Sequence, residues 1–362
     1  MSRGRNGEVR LGLQEITPYG ARSASTEGTA LVSFSISTAA KGLGMGLAEV
    51  VPGVSGGTIA FITGIYEKLI ASLRNIDSIA LGHLRHGRFG ELARHIDLWF
   101  VGSLLAGMAV GLVSGVFGIT WLIENHPLQV WAFFFALIAA SSVVVARDLS
   151  RFTWLTAVLM AVGAAAALLI TSAEPAGSRS SLWFVAVSGV LAISALMLPG
   201  LSGSFVLLLL GMYSLVIPAV RDLLGFDLSA LPIVAAFAVG AVIGVFTMSR
   251  VLHWGYERYR DQVLALLIGI MLGSLNKIWP WQEVLATEVD SSGRESVTFS
   301  RSVSPSTFAN LESNPVFGTD PALGSAVLIM VLTFAAIIGL HVWAGRRDAI
   351  IAAVEDSPAQ EG

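Results

Sequence analysis

Residues 50–61 read VVPGVSGGTIAF, and residues 197–208 read MLPGLSGSFVLL. Each sets a Pro-Gly pair, a Ser-Gly pair and a further hydroxyl into an apolar run. Proline removes an amide and ends a helix, while glycine lets the chain turn and lets another group approach the backbone. One such break in an oily segment would be a local kink. Two, with Pro52 and Pro199 separated by 147 residues, point to a repeated unit.

The repeat extends outward from the motif. The same offset pairs Gly64 and Tyr66 with Gly211 and Tyr213, and an offset of 133 pairs Gly107, Gly111, Glu124, Gln129 and Ser141 with Gly240, Gly244, Glu257, Gln262 and Ser274. The change of offset falls in the long connection from Arg74 to Asp97. A fixed internal period of this kind marks a duplicated architecture.

The 362-residue chain is 54% hydrophobic and only 13% charged, with a mean hydropathy of +0.73. That composition belongs in a bilayer. A net charge of -3 offers no basic field for nucleic acid, and the absence of cysteine removes disulfides and thiolate chemistry. No metal, nucleotide or dinucleotide signature is present, so no cofactor is expected.

A spanning helix needs about 20 apolar residues. Ten apolar segments are expected, at 29–50, 54–73, 97–122, 128–146, 152–172, 182–198, 201–220, 228–251, 262–279 and 322–344. This predicts an all-α integral membrane protein built as two five-segment halves. The boundaries are a polar tail at 1–28, a first repeat at 29–173, a second at 182–344 with an external, flexible loop at 280–321, and a tail at 345–362. Arg3, Arg5, Arg10 and Arg22 precede the first segment, and Arg74, Arg85, Arg88 and Arg94 fill the long connection. The positive-inside bias then puts both termini in the cytoplasm. Because five is odd, the second half sits upside down relative to the first, the inverted repeat that recurs in secondary transporters.

The loop charges fit two depths for the motifs, a surface turn or a re-entrant hairpin. The uncharged PGVSGG and PGLSGS favour hairpins, one in each half, meeting near the bilayer centre, where broken backbone persists only if buried in protein or lining a cavity. After each turn a helix begins, and its free amides and positive dipole end favour an anion. Pro52, Gly53, Ser55, Gly56, Gly57 and Thr58, with Pro199, Gly200, Ser202, Gly203 and Ser204, are the candidate binding residues. Ser55, Thr58, Ser202 and Ser204 supply hydroxyl donors.

Lys41 and Glu49 lie in the first segment, and eight residues of helix leave them within about 80° of one face. Charge at bilayer depth costs about 2.5–3.5 kcal/mol, which marks both as functional candidates. Lys41 suits a bound anion and Glu49 a coupling proton. Gly53 to Gly57 also matches G-x-S-x-G, so a serine hydrolase is an alternative, as is a small-anion carrier. The second copy breaks that pattern at Ser204, and no histidine sits convincingly at motif depth.

With PGVSGGTIAFITGIYEKLI in one half and ALMLPGLSGSFVLLLLGMY in the other, the chain resembles the bacterial polyprenyl-phosphate translocases, formerly a domain-of-unknown-function family. The resemblance covers about Lys41 to Trp281. It implies a plasma-membrane protein that returns undecaprenyl phosphate from the outer to the inner leaflet, with the head group at the paired motifs. Glu49 stands where that family has an acidic residue before the proline.

Overall fold

α9 (Leu182–Met197) ends where Leu198 turns to an extended conformation, φ -86° and ψ 126°, as the residue before a proline favours. The chain reverses through Pro199 and Gly200 and re-enters helix as α10 (Gly203–Leu209). In the first half α1 (Ile36–Glu49) precedes the motif and α2 (Gly56–Ile62) follows it. The computed structural model describes residues 34–355 apart from 52–53, 176–180, 290–294, 313 and 315–317. Pro52, Gly53 and the 1–28 tail thus lie outside the described residues, as does 356–362.

α2 and α10 are seven residues each, about 10 Å at 1.5 Å per residue. Both then break at a glycine in the left-handed region, Gly64 (φ 70°) and Gly211 (φ 66°), where a side chain would strain the backbone. α3 (Tyr66–Arg74) and α11 (Tyr213–Leu224) follow, and α10 and α11 are bent by 119°. The expected segments 54–73 and 201–220 are therefore not single rods but pairs of short helices. The sequence shows only apolar composition there, and one glycine conformation divides it.

α4 (Ser78–Arg85) and α5 (Phe89–His95) occupy the arginine-rich connection, and Asp77 caps α4 through the amides of Ile79 and Ala80. Long apolar helices follow: α6 (Leu98–Asn125), α7 (Pro127–Ala146) and α8 (Trp154–Thr171). α12 (Leu231–Ser274) joins the expected segments 228–251 and 262–279 into one helix, with a non-helical break at Tyr259. Its 44 residues measure about 66 Å, twice the thickness of the hydrocarbon core. The break divides it into two limbs. His126, between α6 and α7, has φ -140° and ψ 51°, and Tyr259, 133 residues later, has φ -140° and ψ 48°. α14 (Leu323–Glu355) runs past the expected end at 344. Among the described residues five helices are long and apolar enough to cross a membrane, and six if the bent α10–α11 pair counts as one span. The chain is an all-α integral membrane protein.

Glycines set how these helices approach. A Cβ on Gly107 or Gly111 of α6 would collide with the carbonyls of Ala39 and Leu43 on α1. The equivalent Gly240 and Gly244 of α12 meet Ala186 and Val190 of α9 in the same way. Backbone-to-backbone contact of this kind is what small residues permit where no water drives association. One kind of packing unit thus occurs twice, α1 on α6 and α9 on the first limb of α12. The second limb packs on α8 through Gly269 and Gly273, while α14 packs on α7.

The 280–321 stretch, expected to be flexible, carries an antiparallel hairpin of β1 (Gln282–Val289) and β2 (Glu295–Ser302), then a short helix, α13 (Pro305–Ala309). Trp281 and Phe308 are buried beneath it. The indoles of Trp279 and Trp281 donate to the Val303 and Pro321 carbonyls, each at 2.8 Å. Polar composition hid this order, because a few apolar side chains, Trp279 and Trp281 at its start and Phe308 within it, supply its core.

Candidate functional site

The first motif is closed by the protein's own groups. Glu49, the last residue of α1, accepts a hydrogen bond from the Gly56 amide at 2.7 Å. Ser55 caps α2, its Oγ accepting from the Gly57 amide at 3.1 Å. A carboxylate and a hydroxyl therefore hold the two amides that open α2, the arrangement that favours negative charge at a helix start. At Gly56 a Cβ would sit 2.7 Å from Glu49 Oε1, so only glycine admits the carboxylate.

Lys41 is at the other end. Its Nζ donates to the Thr63 carbonyl at 2.9 Å, at the C-cap of α2. Lys41 and Glu49 thus clamp opposite ends of one short helix, each with the charge that its dipole prefers. The structure brings Glu49, Ser55, Gly56, Gly57 and Thr58 together and places Lys41 about 10 Å of helix away from them. Helical spacing put both charges near one face, and the position of α2 alongside α1 decides which end each reaches.

The two motifs meet. Thr58 Oγ1 accepts from the Gly200 amide at 2.8 Å, and Ser55 Oγ donates to the Leu196 carbonyl at 3.3 Å. Tyr66 donates its hydroxyl to the Met197 carbonyl at 2.6 Å. The carbonyls stranded where α9 stops, and the amide freed by the turn at Gly200, are satisfied by hydroxyls of the first half. Ser55 and Thr58 are wholly buried. Gly57 lies against the Leu196 carbonyl, which a Cβ would approach to 2.8 Å.

The second motif differs. Leu196 stands where Glu49 stands in the first, so α10 has no carboxylate at its start, and Ser202 makes no capping bond. Instead Ser202 and Ser204 pair through their hydroxyls at 2.8 Å, Ser202 buried and Ser204 exposed. Pro199 and Gly200 are buried, with Gly200 packed on Met271 and Ser274 at the end of α12, and Gly203 against the Ala192 carbonyl.

The Ser55 hydroxyl spends its proton on a backbone carbonyl, and among the described residues no histidine or lysine is bonded to it. Ser55 here acts as a helix cap. Among the described residues no cluster of His, Asp and Glu could hold a metal ion.

One cation escaped the sequence reading. Lys277 follows the end of α12 by three residues, and its Nζ lies 4.9 Å from the centre of the Phe205 ring, next to Ser204. Its hydrogen-bond partner is Ser300 of β2 at 3.3 Å. Lys277 lies near the end of the expected segment 262–279, where a charge at bilayer depth is costly, as it is for Lys41.

Comparison with known proteins places this geometry in a family. Residues 45–296 match a family described as VCA0040-like, undecaprenyl phosphate translocase-like. A polyprenyl-phosphate transporter of Vibrio cholerae serotype O1 (strain ATCC 39315 / El Tor Inaba N16961) is 41% identical over 314 residues, covering 85% of this chain and 97% of that protein. A polyprenyl-phosphate transporter of Staphylococcus aureus (strain NCTC 8325 / PS 47) is 32% identical over 254 residues, covering 66% of this chain and 84% of that one. No solved structure matches. The family match takes in both motifs, and the chain belongs to the VCA0040-like, undecaprenyl phosphate translocase-like family.

Proposed function

We propose that this protein carries undecaprenyl phosphate from the outer to the inner leaflet of a bacterial plasma membrane, with the phosphate handled where the two motifs meet. The observation that carries the reading is the Glu49 carboxylate on the Gly56 amide. It is an oxyanion already seated where a phosphate oxygen would go. Protonation of Glu49 would weaken that bond, because a neutral acid is a poorer acceptor than a carboxylate. The α2 amides would then be free for the head group, and loss of the proton would restore the carboxylate to the Gly56 amide and expel it. This gives Glu49 a coupling role without any covalent step.

The helix lengths support re-entrant hairpins in an inverted repeat. α1 and α9 have 14 and 16 residues, about 21 and 24 Å, short of the ~30 Å hydrocarbon core. Each turns back through its motif, and the motifs hydrogen-bond to one another, which favours a common depth. The arginine distribution supports cytoplasmic termini. The relatives' names support a polyprenyl phosphate as cargo.

Purified protein in liposomes carrying labelled undecaprenyl phosphate tests this. Leaflet exchange faster than in empty vesicles is expected. Exchange at the empty-vesicle rate, or transport of inorganic phosphate alone, would turn the reading toward a small-anion carrier.

A further inference from the structure

Lys277 is a partly buried cation. Among the described residues it has no carboxylate within ion-pair distance, and its neighbours are one hydroxyl and one aromatic face. An isolated ammonium taken out of water is costly unless something compensates it. A single neutral hydroxyl at 3.3 Å compensates little.

Its surroundings are built to hold it there. Ser300 donates to Gln282 Oε1, which turns a lone pair of Ser300 toward the ammonium. Gln282 in turn donates to the carbonyls of Lys277 and Trp279, and Ser302 donates to that of Asn276. The β hairpin is thereby laced onto the end of α12 through its inward-facing polar residues. On the outward face Glu283 pairs with Arg301 at 2.6 Å, so that carboxylate is used elsewhere.

The ammonium also adjoins the second motif. Phe205, whose ring it approaches, follows Ser204 directly, and Ser274, one turn before Lys277, would lie 3.0 Å from a Cβ on Gly200. The first motif has its negative charge in Glu49; the second has none of its own, and a positive charge waits beside it.

We propose that Lys277 is the cationic contact for the phosphate monoester of the cargo at the second motif, with Ser300 holding the ammonium while the phosphate is absent. This rests on the lipid-phosphate reading above and adds to it the group that recognises the charge. Lysine is a compact donor with a mobile stem, suited to exchanging a hydroxyl for a phosphate oxygen. A free phosphate ion has the same chemistry as the lipid head group, so the test separates them.

Binding of a polyprenyl phosphate, of the polyprenol of the same chain length and of inorganic phosphate is measured on the full chain in detergent. The wild type is expected to prefer the polyprenyl phosphate to the polyprenol, with inorganic phosphate competing weakly. Lys277→Gln should lose that preference tenfold or more, Lys277→Arg should restore most of it, and Ser300→Ala should keep it. A Lys277→Gln protein that discriminates like the wild type would overturn the assignment alone. A wild type that does not discriminate would overturn the lipid-phosphate reading together with it. Acylation of Lys277 in the wild type, followed by mass spectrometry, needs no variant to fold. Polyprenyl phosphate should slow it several-fold, and an unchanged rate would equally sink the assignment.

Discussion

Thr58 and Gly200 are 142 residues apart in the chain and joined by a 2.8 Å hydrogen bond. The threonine belongs to the first half of the repeat and the glycine to the second. Through this bond the amide that the turn after Pro199 frees is satisfied by the other motif, so neither motif is complete alone. Thr58→Val keeps the shape and removes the acceptor. A buried amide left unpaired costs about 1–3 kcal/mol, and thermal unfolding in detergent should show that loss, whereas Thr58→Ser should recover most of it.

Glu49→Gln keeps an oxygen for the Gly56 amide and removes the titration. Transport should lose its response to an imposed pH gradient while the thermal midpoint stays near wild type. Glu49→Ala removes the cap as well and should cost about 1 kcal/mol of stability. A Glu49→Gln protein with an undiminished gradient response would take Glu49 out of coupling.

Gly240→Ala puts a methyl group into the Ala186 carbonyl, and Gly107→Ala does the same at Ala39. Overpacking of a backbone contact costs about 1–3 kcal/mol. Both variants should express less and unfold earlier. Gly118→Ala, where nothing lies within 4 Å, serves as the comparison and should be neutral or slightly stabilising.

Phosphate binding at Lys277 needs the ammonium, and should weaken at alkaline pH as the amine sheds its proton. Lys277→Arg should extend binding to higher pH, because a guanidinium keeps its proton there. Affinity measured from pH 6.5 to 9.5 in both proteins checks the difference.

Much of the architecture was legible in the chain itself. The bilayer, the duplication and the pairing of Gly107 with Gly240 follow from composition and spacing, because apolar length and small-residue contacts are local properties. His126 and Tyr259 share one backbone conformation at the expected offset. The motif was legible as a break in helix; that Glu49 and Ser55 occupy the amides after it was not. Its residues could be named before any fold was known, because proline and glycine act on the backbone wherever they stand.

Tertiary structure alone decided which charges reach those amides. On one helix Lys41 and Glu49 are near neighbours in angle, yet they clamp opposite ends of α2, because α2 packs back along α1 and spans the distance between them. Lys277 reaches Phe205 only because α12 returns to the second motif and a β hairpin covers its end. Periodicity reports the face a residue occupies. It is silent on which distant carbonyl, amide or ring will meet that face, and in VVPGVSGGTIAF those long-range partners separate a capped helix end from an open one.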